Sequence, residues 1–163
     1  MEVIEMRKVF LLCVFFLAAV VQAEPVKPIT IQYIYINISC QILDAYWWDD
    51  NGRLHHRWFR ISGARGINVN GTQEPKEIHN HLGLFRVEEK DEDHWSQAFD
   101  SPMHFAMFFH QGHAIHATTR DNYRYLGQPA SHGCIRMKRE DAQWLFQHTP
   151  LGTPVFIYHS VSF

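Results

Sequence analysis

Short runs of β-branched and aromatic residues, separated by turn signals, recur along most of this chain, and that punctuation confines it to a mainly β fold. Ile31 to Ile38 reads Ile-Gln-Tyr-Ile-Tyr-Ile-Asn-Ile, and Ile42 to Trp48 follows as a second strand. Asp50-Asn51-Gly52 then predicts a tight hairpin, because Asn-Gly supplies the positive φ angles of a type I′ turn, and Leu54 to Ile61 returns as a third strand. Residues 62 to 82 read as loop, and Leu84 to Val87 as a short strand followed by the charged run Glu88 to Asp93. Phe105 to Phe109 and Ala114 to Ala117 bracket Gln111-Gly112, which predicts a hairpin that ends on His116. A turn-rich loop spans 118 to 131, and Lys138 to His148 carries Ala142, Trp144, Leu145 and Phe146 at helical spacing until Pro150 and Gly152 stop it. Pro154 to His159 closes the chain as a last strand. Many short strands with one helix predict a β-sandwich or barrel-like core with a helical appendage. No repeat, low-complexity tract or heptad interrupts that reading.

The N-terminal segment obeys a different rule. Arg7-Lys8 precede thirteen apolar residues, Val9 to Val21, and Val21-Gln22-Ala23 places small residues at the −3 and −1 sites, so residues 1–23 are expected to be a secretory signal peptide. Thirteen residues fall short of the roughly 18 that a spanning helix needs. The apolar residues around Cys13 do not resemble a lipoprotein cleavage site. Removal leaves 140 residues: a short leader, 24–30, and one domain, 31–163, placed in the periplasm or outside the cell, with no stable membrane span after processing. The remaining chain keeps a net charge of −2, which excludes the basic footprint of a nucleic-acid binder. It also retains two cysteines, Cys40 and Cys134. A disulfide between them is one reading, and a reactive Cys134 beside an inert, partly buried Cys40 is the preferred one.

Cys134 stands in Ser131-His132-Gly133-Cys134-Ile135-Arg136-Met137, with His116 eighteen residues upstream. A neighbouring imidazole can take a thiol proton, and Gly133 lets the backbone approach a substrate closely. The backbone N–H groups of Gly133 and Cys134 are candidate donors to an oxyanion. Cys134 is therefore the candidate nucleophile and His116 the candidate base. Ser131 and His132 read as supporting groups. A hydroxyl or carbonyl that accepts from the other ring nitrogen of His116 would fix its tautomer; the sequence does not say which group that is, and His132 could instead line an oxyanion pocket. Arg136 has two readings: a packing arginine, or a fork for a substrate carboxylate. A rival reading assigns His79, His81, His110, His113 and His116 to a metal, with Cys134 as thiolate partner; no acidic companion stands at metalloprotease spacing, and the preferred reading needs neither metal nor cofactor. The five tryptophans are expected to serve core packing rather than a glycan platform.

The order His116, fourteen residues, then Ser-His-Gly-Cys-Ile-Arg resembles the signature of the L,D-transpeptidase (YkuD/ErfK-type) catalytic domain. The resemblance extends over roughly residues 30 to 160, through Asp93-His94-Trp95-Ser96, Pro102 to Phe109 and Gly152-Thr153-Pro154-Val155. It implies a mostly β sandwich and a peptidoglycan-directed cysteine acyltransferase of cell-wall biogenesis. In that reading Cys134 attacks the bond between the L-centre of a tetrapeptide stem's third residue and the following D-alanine, His116 is the base, and Arg136 binds substrate. The acceptor would be an amine of another stem peptide or of an anchored wall or outer-membrane protein. Water as acceptor would make a carboxypeptidase or hydrolase, and a non-catalytic wall-binding domain is the alternative of another class. Two departures from the family pattern stand out: Ala117 replaces the glycine after the histidine, and Asn80-His81-Leu82-Gly83 replaces Thr-Pro-x-Gly. The second implies that the loop from 66 to 82 is shaped for a different substrate or acceptor.

Overall fold

The computed structural model describes residues 27–65 and 80–160; the signal peptide expected at 1–23 and most of the 66–82 loop lie outside the described residues. Within them the chain forms two sheets and one α-helix, the mainly β architecture that the turn pattern predicts. The first sheet contains β1 (Tyr33–Asn37), β2 (Ile42–Trp48), β3 (Leu54–Arg60), β4 (Gly83–Arg86) and β9 (Pro154–Tyr158), in the order β3-β2-β1-β9-β4. The second contains β5 (Glu89–Ser96), β6 (Ser101–His110), β7 (His113–Ala117) and β8 (Ile135–Met137), ordered β5-β6-β7-β8. Two contacts are parallel, β1 with β9 and β7 with β8. Helix α1 (Arg139–His148) follows β8 directly.

The period of two along each strand turns one row of side chains inward. Ile34, Ile36, Leu43, Ala45, Phe59, Val155 and Ile157 from the first sheet meet Met107, Phe109, Ile115, Ile135 and Met137 from the second, and Ala142 and Leu145 of α1 join the same core. The opposite row of the first sheet carries aromatic side chains: Tyr33 stacks on Tyr46 at 5.2 Å, and Tyr35 meets Phe156 edge-on at 5.6 Å. The tryptophans depart from the core-packing expectation. Trp48, Trp58 and Trp95 are exposed, and Trp47 and Trp144 only flank the core. Trp58 lies on an outward row of β3 and Trp48 ends β2, which leaves them in solvent, whereas Trp47 of β2 and Trp144 of α1 pack at the core's margin.

Three local features correct or complete the sequence reading. The loop between β2 and β3 is not the two-residue I′ turn expected at Asn51-Gly52. Asp49 accepts from the Gly52 N–H at 3.0 Å, only Gly52 of that pair has positive φ (71°), and Asp49 N–H pairs with the Arg53 carbonyl at 3.0 Å. That is a three-residue hairpin, held further by Asp49 Oδ1, which accepts from the N–H groups of Asn51 and Arg53 at 2.9 Å each. The I′ geometry appears instead at Gln111-Gly112, with φ of 43° and 78°.

The charged run, to which the sequence pattern assigns no element, begins β5, an edge strand paired only with β6. Charged side chains suit such an edge, where they discourage pairing with other chains. One of them, Lys90, donates to the carbonyls of Phe146 (2.6 Å) and Thr149 (2.7 Å) and so satisfies the C-terminal end of α1. Finally, Cys40 and Cys134 are both free thiols, and Cys40 is exposed rather than partly buried.

Candidate active site

Parallel pairing of β7 with β8 sets Ile115 beside Ile135 and His116 beside Arg136. One step earlier on both chains, Cys134 therefore stands beside Ala114, whose backbone N–H hydrogen-bonds toward the thiol sulfur. Residues two apart on a strand share a face, so Ala114 and His116 point the same way, as do Cys134 and Arg136. The ladder thus brings thiol, imidazole and guanidinium to one wall of a cavity of about 380 Å³, which His132, Thr118 and His113 also line.

His116 is buried, and its Nδ1–H donates to its neighbour's carbonyl, Ala117 O, at 2.8 Å. A carbonyl can only accept, so the neutral ring carries its lone pair on Nε2, the tautomer a general base requires. The orienting group, left open by the sequence, is this main-chain oxygen, which substitution of side chains leaves in place. Burial lowers the His116 pKa to about 4, against the opposing pull of the Ala117 carbonyl, with the Arg136 and His94 charges lowering it further. Burial likewise raises the Cys134 pKa, opposed by the Ala114 N–H and the positive Arg136. The resting pair is then a neutral thiol beside a neutral imidazole. A thiol in this state would act as a nucleophile only through proton removal during attack, not through a depressed pKa.

Burial of a neutral imidazole makes stability depend on pH with a definite sign. Between His116's folded pKa of about 4 and the ordinary value of 6.5, the unfolded chain binds more protons, so this contribution is complete above pH 6.5 and is lost as pH falls through about 4. Chemical denaturation at pH 7 and pH 4.5 is expected to show a loss from this group of about 2 kcal/mol. A His116→Gln variant should lack that component. An unchanged pH dependence in the variant would contradict the assignment.

Ser131 is fully buried in the loop before β8. Its hydroxyl donates to the Cys134 carbonyl at 2.6 Å and accepts from the Gly133 N–H at 3.2 Å, while its own N–H donates to Gly63 O at 2.8 Å. It fixes the shape of the loop. One of the two expected oxyanion donors, Gly133 N–H, is therefore already engaged. His132 lines the cavity, held by Phe99, which stacks on its ring at 5.0 Å, and by Arg65, whose Nη2 donates to His132 Nε2 at 2.8 Å. Arg136 is half-buried; its Nη1 donates to Ala130 O at 3.2 Å, and no described carboxylate pairs with it.

Gly133 is buried with φ +135°, and a Cβ there would overlap the His113 imidazole. The histidines of the metal reading are otherwise employed. His81 packs against His110 at 4.6 Å and against His113 at 4.9 Å between ring centroids, His116 Nδ1 is bonded to Ala117, and His79 lies outside the described residues. No group of three or more potential ligands among the described residues is arranged to hold a metal ion. Sequence reasoning passed over Asn80, Phe99 and the contact of His113 with Gly133. Asn80 stood at the departure from Thr-Pro-x-Gly, a signal of place but not of role.

The L,D-transpeptidase catalytic domain model matches residues 31–157. The probable L,D-transpeptidase YbiS of Escherichia coli is 40% identical over 57 residues, which cover 34% of this chain and 18% of that protein. Among solved structures, an L,D-transpeptidase from Xylanimonas cellulosilytica aligns with a TM-score of 0.58 at 25% identity, covering 84% of this chain and 64% of that one. L,D-transpeptidase 3 from Mycobacterium tuberculosis, in complex with a faropenem-derived adduct, gives a TM-score of 0.58 at 20% identity, covering 77% and 59%. This chain belongs to the L,D-transpeptidase catalytic domain family, and its match spans under a fifth of the curated relative's length. Among the described residues no helix is long and apolar enough to cross a membrane.

Proposed function

We propose that the chain is an exported cysteine acyltransferase that acts on peptidoglycan stem peptides. The observation that carries this reading is the placement of His116 on β7 and of Cys134 immediately before the adjacent β8, in a cavity that Arg136 also lines. Cys134 Sγ attacks the carbonyl between the third stem residue and D-alanine, and its proton passes to His116 Nε2. The C–N bond breaks, His116 returns the proton to the leaving D-alanine amine, and a thioester remains on Cys134. An acceptor amine then attacks the thioester and gives its proton to His116, the C–S bond breaks, and His116 passes that proton to the departing thiolate. Arg136 suits a terminal carboxylate of the stem, because a guanidinium presents two parallel donors and this one has no described carboxylate partner. The apolar segment 9–21 supports export to the compartment where such substrates occur.

Incubation of the protein with tetrapeptide muropeptides, followed by mass spectrometry, tests this. Release of D-alanine with cross-linked dimers is the expected result, and a protein-linked muropeptide would name an anchored protein as acceptor. Tripeptides alone would assign the acceptor role to water. Intact tetrapeptide, together with no adduct on Cys134 after carbapenem treatment, would overturn the catalytic reading in favour of a wall-binding domain.

A further inference from the structure

Asn80 adds side-chain bonds between two loops that backbone bonds already hold together, Ser131 N–H to Gly63 O at 2.8 Å and Arg65 N–H to Ser131 O at 3.1 Å. Its Oδ1 accepts from the Ala64 N–H at 2.7 Å, and its Nδ2 donates to the Gly133 carbonyl at 2.7 Å. Gly63 makes room for it, since a Cβ at that residue would lie 2.6 Å from Asn80 Oδ1. The next residue, His81, packs on the ring of His113, which in turn fills the space where a Gly133 Cβ would fall. The Asn80-His81 pair therefore grips Gly133 at two points, directly at its carbonyl and through His113 at its Cα.

The consequence lies in the next peptide unit. In a trans peptide the C=O and N–H point in opposite directions, so fixing the Gly133 carbonyl also fixes the direction of the Cys134 N–H. Glycine lacks the Cβ that limits rotation in other residues, and nothing intrinsic to Gly133 would hold that plane. Its own N–H is bonded to Ser131 Oγ, which leaves the Cys134 N–H as the donor of the pair for charge on the attacked carbonyl oxygen. We infer that Asn80 is a positioning residue: its bond to the Gly133 carbonyl aims the Cys134 N–H at the oxygen on which charge develops. This inference rests on the acyl-transfer reading above. It also gives a role to the position where the chain departs from Thr-Pro-x-Gly.

The variants Asn80→Ala and Asn80→Asp test it. The aspartate is nearly isosteric and keeps an acceptor for the Ala64 N–H, but it turns an oxygen rather than a donor toward the Gly133 carbonyl. Two reactions of Cys134 are compared: acylation by a carbapenem, which develops an oxyanion, and alkylation by iodoacetamide, which does not. Acylation is expected to slow by about 10- to 100-fold in both variants. Alkylation of Cys134 should stay within about threefold of wild type, and kcat on tetrapeptide should fall with KM little changed. Equal slowing of both reactions, or no slowing of acylation, would overturn the inference. If wild-type protein were not acylated, the acyl-transfer reading would fail by itself. Hydrogen exchange then decides the clamp: a faster Cys134 amide in Asn80→Ala supports it, and an unchanged amide refutes it.

Discussion

Replacement of Cys134 by alanine is expected to leave a folded protein with no measurable acyl transfer. The side chain is only partly buried and belongs to a small satellite cluster with Met103, Ala106, Ala114 and Phe108, apart from the main core. Loss of one sulfur there should cost no more than about 1 kcal/mol. The chemical loss is of another order. No other described thiol lines the cavity, and removal of the group proposed to form the covalent intermediate should lower kcat by at least about 10³-fold. Serine should not rescue it, because the neutral His116 would have to deprotonate a hydroxyl far less acidic than the thiol. The exposed Cys40 supplies the internal control: Cys40→Ser should keep full activity and lose only a readily alkylated site. Turnover retained in Cys134→Ala, with denaturation unchanged, would remove the cysteine from the mechanism.

The candidate nucleophile could be singled out from the sequence because the chemistry that suggests it is written locally. A thiol, a glycine and a histidine lie within three residues, and the second histidine ends a hairpin whose turn is visible as Gln111-Gly112. The fold class was legible for a similar reason, since β-branched runs and turn residues act over a few positions. Long-range relations were not. The parallel pairing of β7 with β8 that aligns His116 with Arg136 joins residues twenty apart, and nothing in either segment announces the other. The β5 strand was hidden because an edge strand need not carry an apolar face. The partner of His116 was hidden because a main-chain carbonyl has no letter in the sequence. Asn80 was visible only as a departure, because its two bonds reach Ala64 and Gly133 across sixteen and fifty-three positions.

Gly133→Ala should damage both stability and chemistry, and the two effects can be separated. At φ +135° an alanine is strained whatever space surrounds it, which costs about 1–3 kcal/mol. The added methyl would also overlap the His113 ring. That ring has little freedom to retreat: its Nδ1 is 3.3 Å from the His110 carbonyl and the His81 ring packs against it. Overpacking adds about 1–3 kcal/mol. The summed loss, about 2–6 kcal/mol, should be plain in urea denaturation at neutral pH. Acylation of Cys134 should fall by about 10²-fold or more, because any relief by backbone rotation turns the Cys134 N–H away from the developing charge. The double variant Gly133→Ala/His113→Ala distinguishes the causes. Removal of the ring should recover the overpacking share of stability but not the acylation rate, since the backbone angle still disfavours alanine. If the double variant regained wild-type acylation, the His113 contact alone would explain the requirement for glycine. If Gly133→Ala were as stable and as reactive as wild type, the left-handed geometry assigned to this loop would be wrong.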